Sequence, residues 1–126
     1  MRIIINESQM YNAAKTLFDI IFEDSFDISK IINSSDKLTL YSPSKGTTLL
    51  YWRLAGFHVG ISTEISKYMI DFLKITDPLT FFEFFGKWLY ETYGIPNSQN
   101  VYFDDYHLKT RTIAYLNLIE NEGNIE

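Results

Sequence analysis

The densest run of apolar residues lies between residues 77 and 94, in the segment DPLTFFEFFGKWLYETYG. This segment holds seven of the chain's 21 aromatic residues (10 Phe, 9 Tyr and 2 Trp). Asp77, followed by a proline, is typical of a helix N-terminus, and Gly94, shortly before another proline, is typical of a helix end. The pattern predicts a helix over 77–94 that is buried on several sides and forms the centre of the core. Apart from Tyr90, we expect exposure only along one polar stripe of Glu83, Lys87 and Glu91.

Two further segments have the periodicity of amphipathic helices. Residues 7–24 place one apolar side, from Met10 to Phe22, opposite a polar side. Residues 64–74 repeat apolar side chains at helical spacing and are joined to the central helix by a two-residue link. For residues 25–33 we predict a further helical turn or two.

Between these helices the apolar residues alternate instead, which is the period of a strand. Strands are predicted over residues 37–42, 47–54 and 57–61, with a turn at 43–46, and together they form a three-strand antiparallel meander. In the second strand Leu50, Trp52 and Leu54 are expected on one face, with Leu49, Tyr51 and Arg53 on the other. The pattern predicts two more short strands, at residues 2–5 and 101–103. The sequence therefore predicts one α+β domain over residues 1–126, with an antiparallel sheet of four or more strands and three main helices.

The segment from 104 to 120 fits two structures. Asp104 or Asp105 could begin a helix, with Leu108, Thr112 and Tyr115 on one face. A period of two also fits Leu108, Thr110, Thr112, Ala114, Leu116 and Leu118, and β-branched residues favour strands. We predict a strand over 111–119, followed by a frayed acidic tail over 120–126.

Composition limits the classes of protein to which the chain can belong. Its 126 residues suit one domain, and the absence of cysteine excludes disulfides and thiolate sites. We find no apolar segment long enough to span a membrane and no signal-peptide pattern, so we expect a cytoplasmic protein. Abundant Ile, Asn, Lys, Phe and Tyr with little Ala suggest an AT-rich coding sequence, as in a low-GC bacterium or its phage.

The net charge of −5 lies entirely in the second half of the chain. Residues 1–63 hold six acids and six bases, whereas residues 64–126 hold ten acids and five bases. This asymmetry disfavours direct nucleic-acid binding and favours a basic partner. An acidic surface that only keeps the protein in solution explains the charge equally well.

Asp104, Asp105, Tyr106 and His107 form the one cluster of side chains typical of chemical sites. With His58 they could hold a metal or supply a general base, but the spacing of metal ligands on a helix is missing. Paired aspartates are more often helix caps. Gly56 and Gly60 lack the context of a phosphate-binding loop and instead indicate strand curvature or close packing on an aromatic ring. We expect no catalytic residue, metal or cofactor.

We interpret the chain as a non-enzymatic protein-binding module. The composition resembles that of small acidic inhibitors, such as toxin-immunity or phage anti-defence proteins, that block a basic or nucleic-acid-handling protein. One alternative is an assembly protein that self-associates, for which a homodimer is the simplest form. The other is a small enzyme or metal site around His107 and Asp105. The predicted partner-binding residues are Tyr51, Tyr102, Asp104, Asp105, Tyr106, Glu120 and Glu122.

Overall fold

The computed structural model describes residues 7–54, 58–95 and 100–123, which form one α+β domain. The predicted strand at 2–5 lies outside these residues, as do residues 124–126. Four helices and five strands follow in the order α1 (Glu7–Ile21), β1 (Phe26–Asp27), β2 (Leu38–Ser42), β3 (Thr47–Arg53), β4 (His58–Ile61), α2 (Thr63–Leu73), α3 (Pro78–Tyr93), β5 (Asn100–Phe103) and α4 (Asp105–Gly123).

The five strands form one sheet in the order β1-β2-β3-β4-β5. The predicted meander of β2, β3 and β4 is confirmed, and its strands pair antiparallel, as do β1 and β2. By contrast, β5 lies parallel to β4. Two neighbouring parallel strands need a long connection between them, and α2 and α3 form this connection between β4 and β5.

A bulge in β3 changes which side chains face the core. The register passes from Leu40 opposite Leu50 to Tyr41 opposite Thr48, so Leu49 is an extra residue. Leu49 and Leu50 are consequently both buried in the same core cluster. The prediction that Leu49 lies on the Tyr51 face is therefore wrong, because strict alternation fails at the bulge.

The main core lies between one face of the sheet and the helices α1, α2 and α3. Phe18 of α1 lies within 5.9 Å, between ring centroids, of three aromatic rings of α3: those of Phe81, Phe85 and Trp88. The indole of Trp88 donates to Asp19 at 2.8 Å. Aromatic pairs of this kind contribute beyond their buried area.

The predicted central helix is confirmed with both of its ends. The carboxylate of Asp77 accepts the amide of Leu79 at 3.0 Å, and Gly94 takes the left-handed conformation at φ 70°. The polar stripe and Tyr90 are exposed as expected. Leu79 and Tyr93, in the first and last turns, are also exposed and were not predicted to be.

The helical turn predicted for residues 25–33 is wrong at its beginning. Phe26 and Asp27 pair with β2 as an edge strand. The side chain of Asp27 accepts the amides of Ser29 at 2.9 Å and of Thr39 at 3.0 Å, which stabilises a turn directly after the strand. An aspartate that satisfies nearby backbone amides in this way competes with helix formation.

The C-terminal segment is a helix, α4, which covers the second face of the sheet. The predicted strand over 111–119 is therefore wrong, and the predicted frayed tail is helical as far as Gly123. Two threonines that favoured a strand bond to their own helix: Thr110 donates to the carbonyl of Tyr106, and Thr112 to that of Leu108, both at 2.9 Å. Threonine is tolerated in a helix when its hydroxyl bonds the preceding turn.

Candidate functional site

A polar cluster fills the space between α4 and the second face of the sheet. Its centre is Tyr51 of β3, which is fully buried. The hydroxyl of Tyr51 donates to the carboxylate of Asp104 and lies 2.6 Å from the hydroxyl of Tyr102. Asp104 precedes α4 and accepts both the backbone amide of His107, at 3.2 Å, and its ring Nδ1, at 2.7 Å. The carboxylate thus caps α4 and joins it to β3.

The electrostatics of this cluster fix its protonation states. Burial raises the pKa of Tyr51, and the adjacent Asp104 and Tyr102 raise it further. Burial alone would also raise the pKa of Asp104, but the hydrogen bonds from Tyr51 and His107 outweigh it and the pKa is lowered. At neutral pH, Tyr51 is therefore a neutral donor and Asp104 a charged acceptor.

The ring of Tyr51 lies directly over Gly60, its cross-strand partner in β4. A Cβ atom on Gly60 would lie 2.2 Å from Cε1 of Tyr51. The expectation that a glycine of this segment permits close packing against an aromatic ring is confirmed for Gly60. Gly56 lies outside the described residues.

A buried ion-pair group adjoins the cluster. Asp36, which is 5% exposed, bonds Nε of Arg53 at 3.2 Å and forms a second ion pair with Arg111 of α4. The guanidinium of Arg111 also lies 4.1 Å from the ring centroid of Tyr51 and donates to the hydroxyl of Ser34 at 3.2 Å. A carboxylate this deeply buried requires such partners. No local pattern in the sequence indicates this group, since its members are up to 75 residues apart.

The catalytic alternative places a site at His107 with Asp105, and in the structure these two residues have different hydrogen-bond partners. Asp105 instead accepts the amide of Thr63 at the start of α2, at 3.0 Å. The ring of His107 bonds the carboxylate of Asp104, and the ring of His58 lies 5.7 Å from that of Tyr102, between centroids. Within the described residues no group of three acidic or histidine side chains is arranged to hold a metal. Helix capping and packing account for the cluster.

The predicted partner-binding residues do not form one surface. Tyr51 was expected to be exposed and is fully buried, because its ring packs on Gly60 beneath α4. Asp104 and Tyr102 are partly buried in the polar cluster. Tyr106 is 76% exposed at the start of α4, whereas Glu120 lies roughly 21 Å further along the helix. The side chain of Glu122 is outside the described part of the chain.

A different acidic surface lies where α1, β1 and α3 meet. We call it the tyrosine–acid face and define it by Asp19, Asp27, Tyr90, Glu91 and Tyr93. Burial raises the pKa of Tyr93, a hydrogen bond with Ser25 lowers it in part, and the charges of Asp19 and Asp27 raise it by smaller amounts. The ring of Tyr93 lies 5.6 Å from that of Trp88, whose indole bonds Asp19. Tyr90, one turn earlier on α3, is 61% exposed.

A neighbouring tyrosine indicates the same negative potential. Burial raises the pKa of Tyr11 to about 12, with further contributions from Glu91 and Asp19. The sequence did not reveal this face, because Asp19 and Asp27 belong to the half of the chain whose charges cancel. Only the fold brings them next to the acids of the second half.

A cleft of about 590 Å³ opens at the end of the sheet between α1 and α2. Its walls are mainly apolar, with Ile20, Leu49, Ile65 and Tyr68 among them. Two charged residues, Lys45 and Glu64, also line it, and the ammonium of Lys45 donates to the carbonyl of Ile21 at 3.3 Å. The cleft therefore offers mainly apolar surface with two charged side chains in its lining.

In the part of the chain that the structure describes, none of the helices has the length and apolar character needed to cross a membrane. No protein-family model, curated protein or solved structure matches this chain.

Proposed function

We propose that this protein is a non-enzymatic binding protein whose tyrosine–acid face contacts a basic surface of another protein. Its partner class is a nucleic-acid-handling protein, and the binding blocks that protein, as in immunity or anti-defence inhibition. The observation that carries the proposal is that the charge of Asp19 acts on two tyrosines, together with Asp27 on Tyr93 and together with Glu91 on Tyr11. Proteins that bind polyanions present concentrated positive charge, and an acidic face complements it.

The local cations leave an excess of negative charge on this face. Lys15 lies 3.8 Å from Glu91, but both side chains are more than one-third exposed, so water screens the pair. Lys87 lies 4.2 Å from the ring centroid of Tyr11, beside the face. These two lysines therefore offset the three carboxylates only in part.

Exposed tyrosines give the same face anchors for binding. Tyr90 is 61% exposed and Tyr93 38% exposed, although both belong to the most buried helix of the domain. Tyrosine is enriched at the centres of protein interfaces, since it buries a large rigid ring and still offers a hydroxyl. An acidic rim around such rings directs the approach of a basic partner and increases the association rate.

The proposal is tested with the chain used as bait in extracts of its native host. Wild type is compared with Tyr90→Ala and Glu91→Lys, and with matched controls on α2, Tyr68→Ala and Asp71→Lys, which are also exposed. We expect wild type to retain a specific basic protein whose affinity falls as salt rises. The two face variants should weaken that binding roughly tenfold, and the two α2 variants should leave it unchanged.

Two outcomes would contradict the proposal. One is the absence of any specific protein partner at low and at physiological salt. The other is a partner whose affinity is lowered equally by the α2 variants, which would place the binding surface elsewhere. When the partner is a nuclease, a second readout follows, because wild type should inhibit cleavage of its substrate and Glu91→Lys should inhibit it less.

A further inference from the structure

The exposed side of α4 carries four residues in an arrangement that is complementary to itself. Lys109, Ile113, Leu116 and Glu120 follow one another at spacings of four, three and four residues, which places them along one line of the helix. All four are exposed, and Ile113 and Leu116 are 49% and 45% exposed. We call them the α4 stripe.

The α4 stripe is separate from the side of the helix that holds it to the sheet. That inner side is formed by Leu108 and Thr112, both nearly fully buried, and by Tyr115, whose ring lies 4.8 Å from that of Tyr41. At about 100° per residue, the centre of the stripe is turned by roughly 100° from the centre of this inner side. The stripe is therefore directed largely to the side of the helix that does not face the sheet.

We propose that the α4 stripe is a dimerisation surface for a second copy of this chain, packed antiparallel about a two-fold axis between residues 114 and 115. In this register Ile113 faces Leu116 of the second copy, and Lys109 faces Glu120 of the second copy. The two-fold axis repeats each contact, as an interface between identical surfaces requires. This inference does not depend on the proposed function, which uses a different face.

The charges of the stripe favour a second copy of this chain as the partner and an antiparallel orientation of the two α4 helices. A parallel pairing in register would place Lys109 against Lys109 and Glu120 against Glu120, and like charges repel. The antiparallel pairing replaces these contacts with two opposite-charge pairs at the two ends of an apolar centre, roughly 16 Å apart along the helix. Apolar centres with charged rims are typical of protein interfaces.

The size of the stripe limits the strength of the dimer. Stable dimers bury about 800 Å² on each partner, far more than four side chains of one helix provide. We therefore expect a dissociation constant of roughly tens to hundreds of micromolar. Association should be visible by sedimentation equilibrium when the protein is studied from about 10 µM to about 1 mM.

A charge exchange across the two-fold axis provides the decisive test. Lys109→Glu alone and Glu120→Lys alone each create two like-charge contacts, so each should weaken the dimer by roughly tenfold. The double variant Lys109→Glu/Glu120→Lys restores opposite charges and should recover wild-type association. Leu116→Glu should abolish association, whereas Leu79→Glu, on an exposed apolar residue of α3, should not affect it.

All of these positions are exposed, and thermal melts of each variant establish that it is folded. A wild-type monomer at about 1 mM would overturn the proposal. So would association that persists in Leu116→Glu, or a double variant that associates no better than the two single variants. Recovery in the double variant supports this register, since a structural role of either charge in the monomer would not be restored by exchanging them.

Discussion

Replacing Gly60 with alanine tests the packing on which the second face of the sheet depends. The added Cβ would lie 2.2 Å from Cε1, 2.7 Å from Cζ and 2.9 Å from Cδ1 of Tyr51. Carbon atoms in contact are normally about 3.5–4.0 Å apart, so the ring must move by more than 1 Å. That movement is opposed at the hydroxyl, which is bonded to Asp104, and at the ring face, which lies 4.1 Å from the guanidinium of Arg111.

The sign of the change in the free energy of unfolding distinguishes a steric conflict with Tyr51 from the backbone preference of alanine over glycine. Without a neighbour, alanine in a strand is more stable than glycine by about 0.5–1 kcal/mol. Overpacking in a filled core typically costs about 1–3 kcal/mol. Because the Tyr51 ring is held on two sides, we expect Gly60→Ala to lower the free energy of unfolding by roughly 1–3 kcal/mol.

Urea unfolding followed by tryptophan fluorescence measures this change, since Trp52 and Trp88 are both buried. A double-mutant cycle with Tyr51→Ala identifies the cause. In the Tyr51→Ala background, Gly60→Ala should be neutral or slightly stabilising, because the ring with which it conflicts is gone.

Gly46→Ala serves as the matched control. Gly46 has φ of +65° and no heavy atom within 4 Å of an added Cβ, so its cost comes only from backbone strain. That cost should be the same with and without Tyr51. A stabilising Gly60→Ala variant, or an equal cost for it in both backgrounds, would refute the steric argument.

Two further substitutions test the buried charges. Asp36→Ala should lower the free energy of unfolding by about 3–5 kcal/mol, because it leaves Arg111 without its counter-ion. In urea unfolding, the double variant Asp36→Ala/Arg111→Met should recover much of this loss. If it recovers none, the ion-pair explanation is wrong. Asp104→Asn tests the stability gained by ionisation: since the pKa of Asp104 is lowered in the folded protein, its contribution is present above the unfolded value near 3.9 and is lost as the pH falls through the folded value. Thermal melts between about pH 2 and pH 7 should therefore show wild type and variant converging at the acid end, and a constant difference would contradict this.

Local signals in the sequence were sufficient for the helices of the main core and for the central strands. Asp77 and Gly94 fixed the ends of α3 because a cap depends only on residues within one turn. Alternation located β2 and β3, since a half-buried antiparallel strand has a period of two. These features depend on neighbours in sequence, and a sequence records such neighbours directly.

The features that were missed depend on contacts between distant residues. Thr112 favours a strand by its own propensity, but in α4 its hydroxyl also accepts the amide of Thr48, 64 residues away, at 2.7 Å. That tertiary hydrogen bond outweighs the preference of threonine for a strand over a helix, which amounts to a few tenths of a kcal/mol. The bulge at Leu49 and the parallel pairing of β5 likewise follow from how the elements fit together.

The same limit explains the outcome for the candidate site. The excess of acids in the second half of the chain indicates Asp104 and the acids that follow it, but Asp104 is used internally as a cap. Asp19 and Asp27 lie in the half with equal numbers of acids and bases, so net charge does not indicate them. In the fold both charges act on Tyr93, since position on the surface decides the local potential.

The polar second face of the sheet has a consequence for how the chain folds. Thr39, Thr48 and Tyr51 are almost fully buried, and α4, which lies over this face, is the last element of the described chain. During synthesis all five strands of the sheet are therefore made before α4. Contacts of high sequence separation form late, and uncovered sheets are prone to aggregate in that interval. The hydroxyl groups on this face can bond water until α4 packs over them.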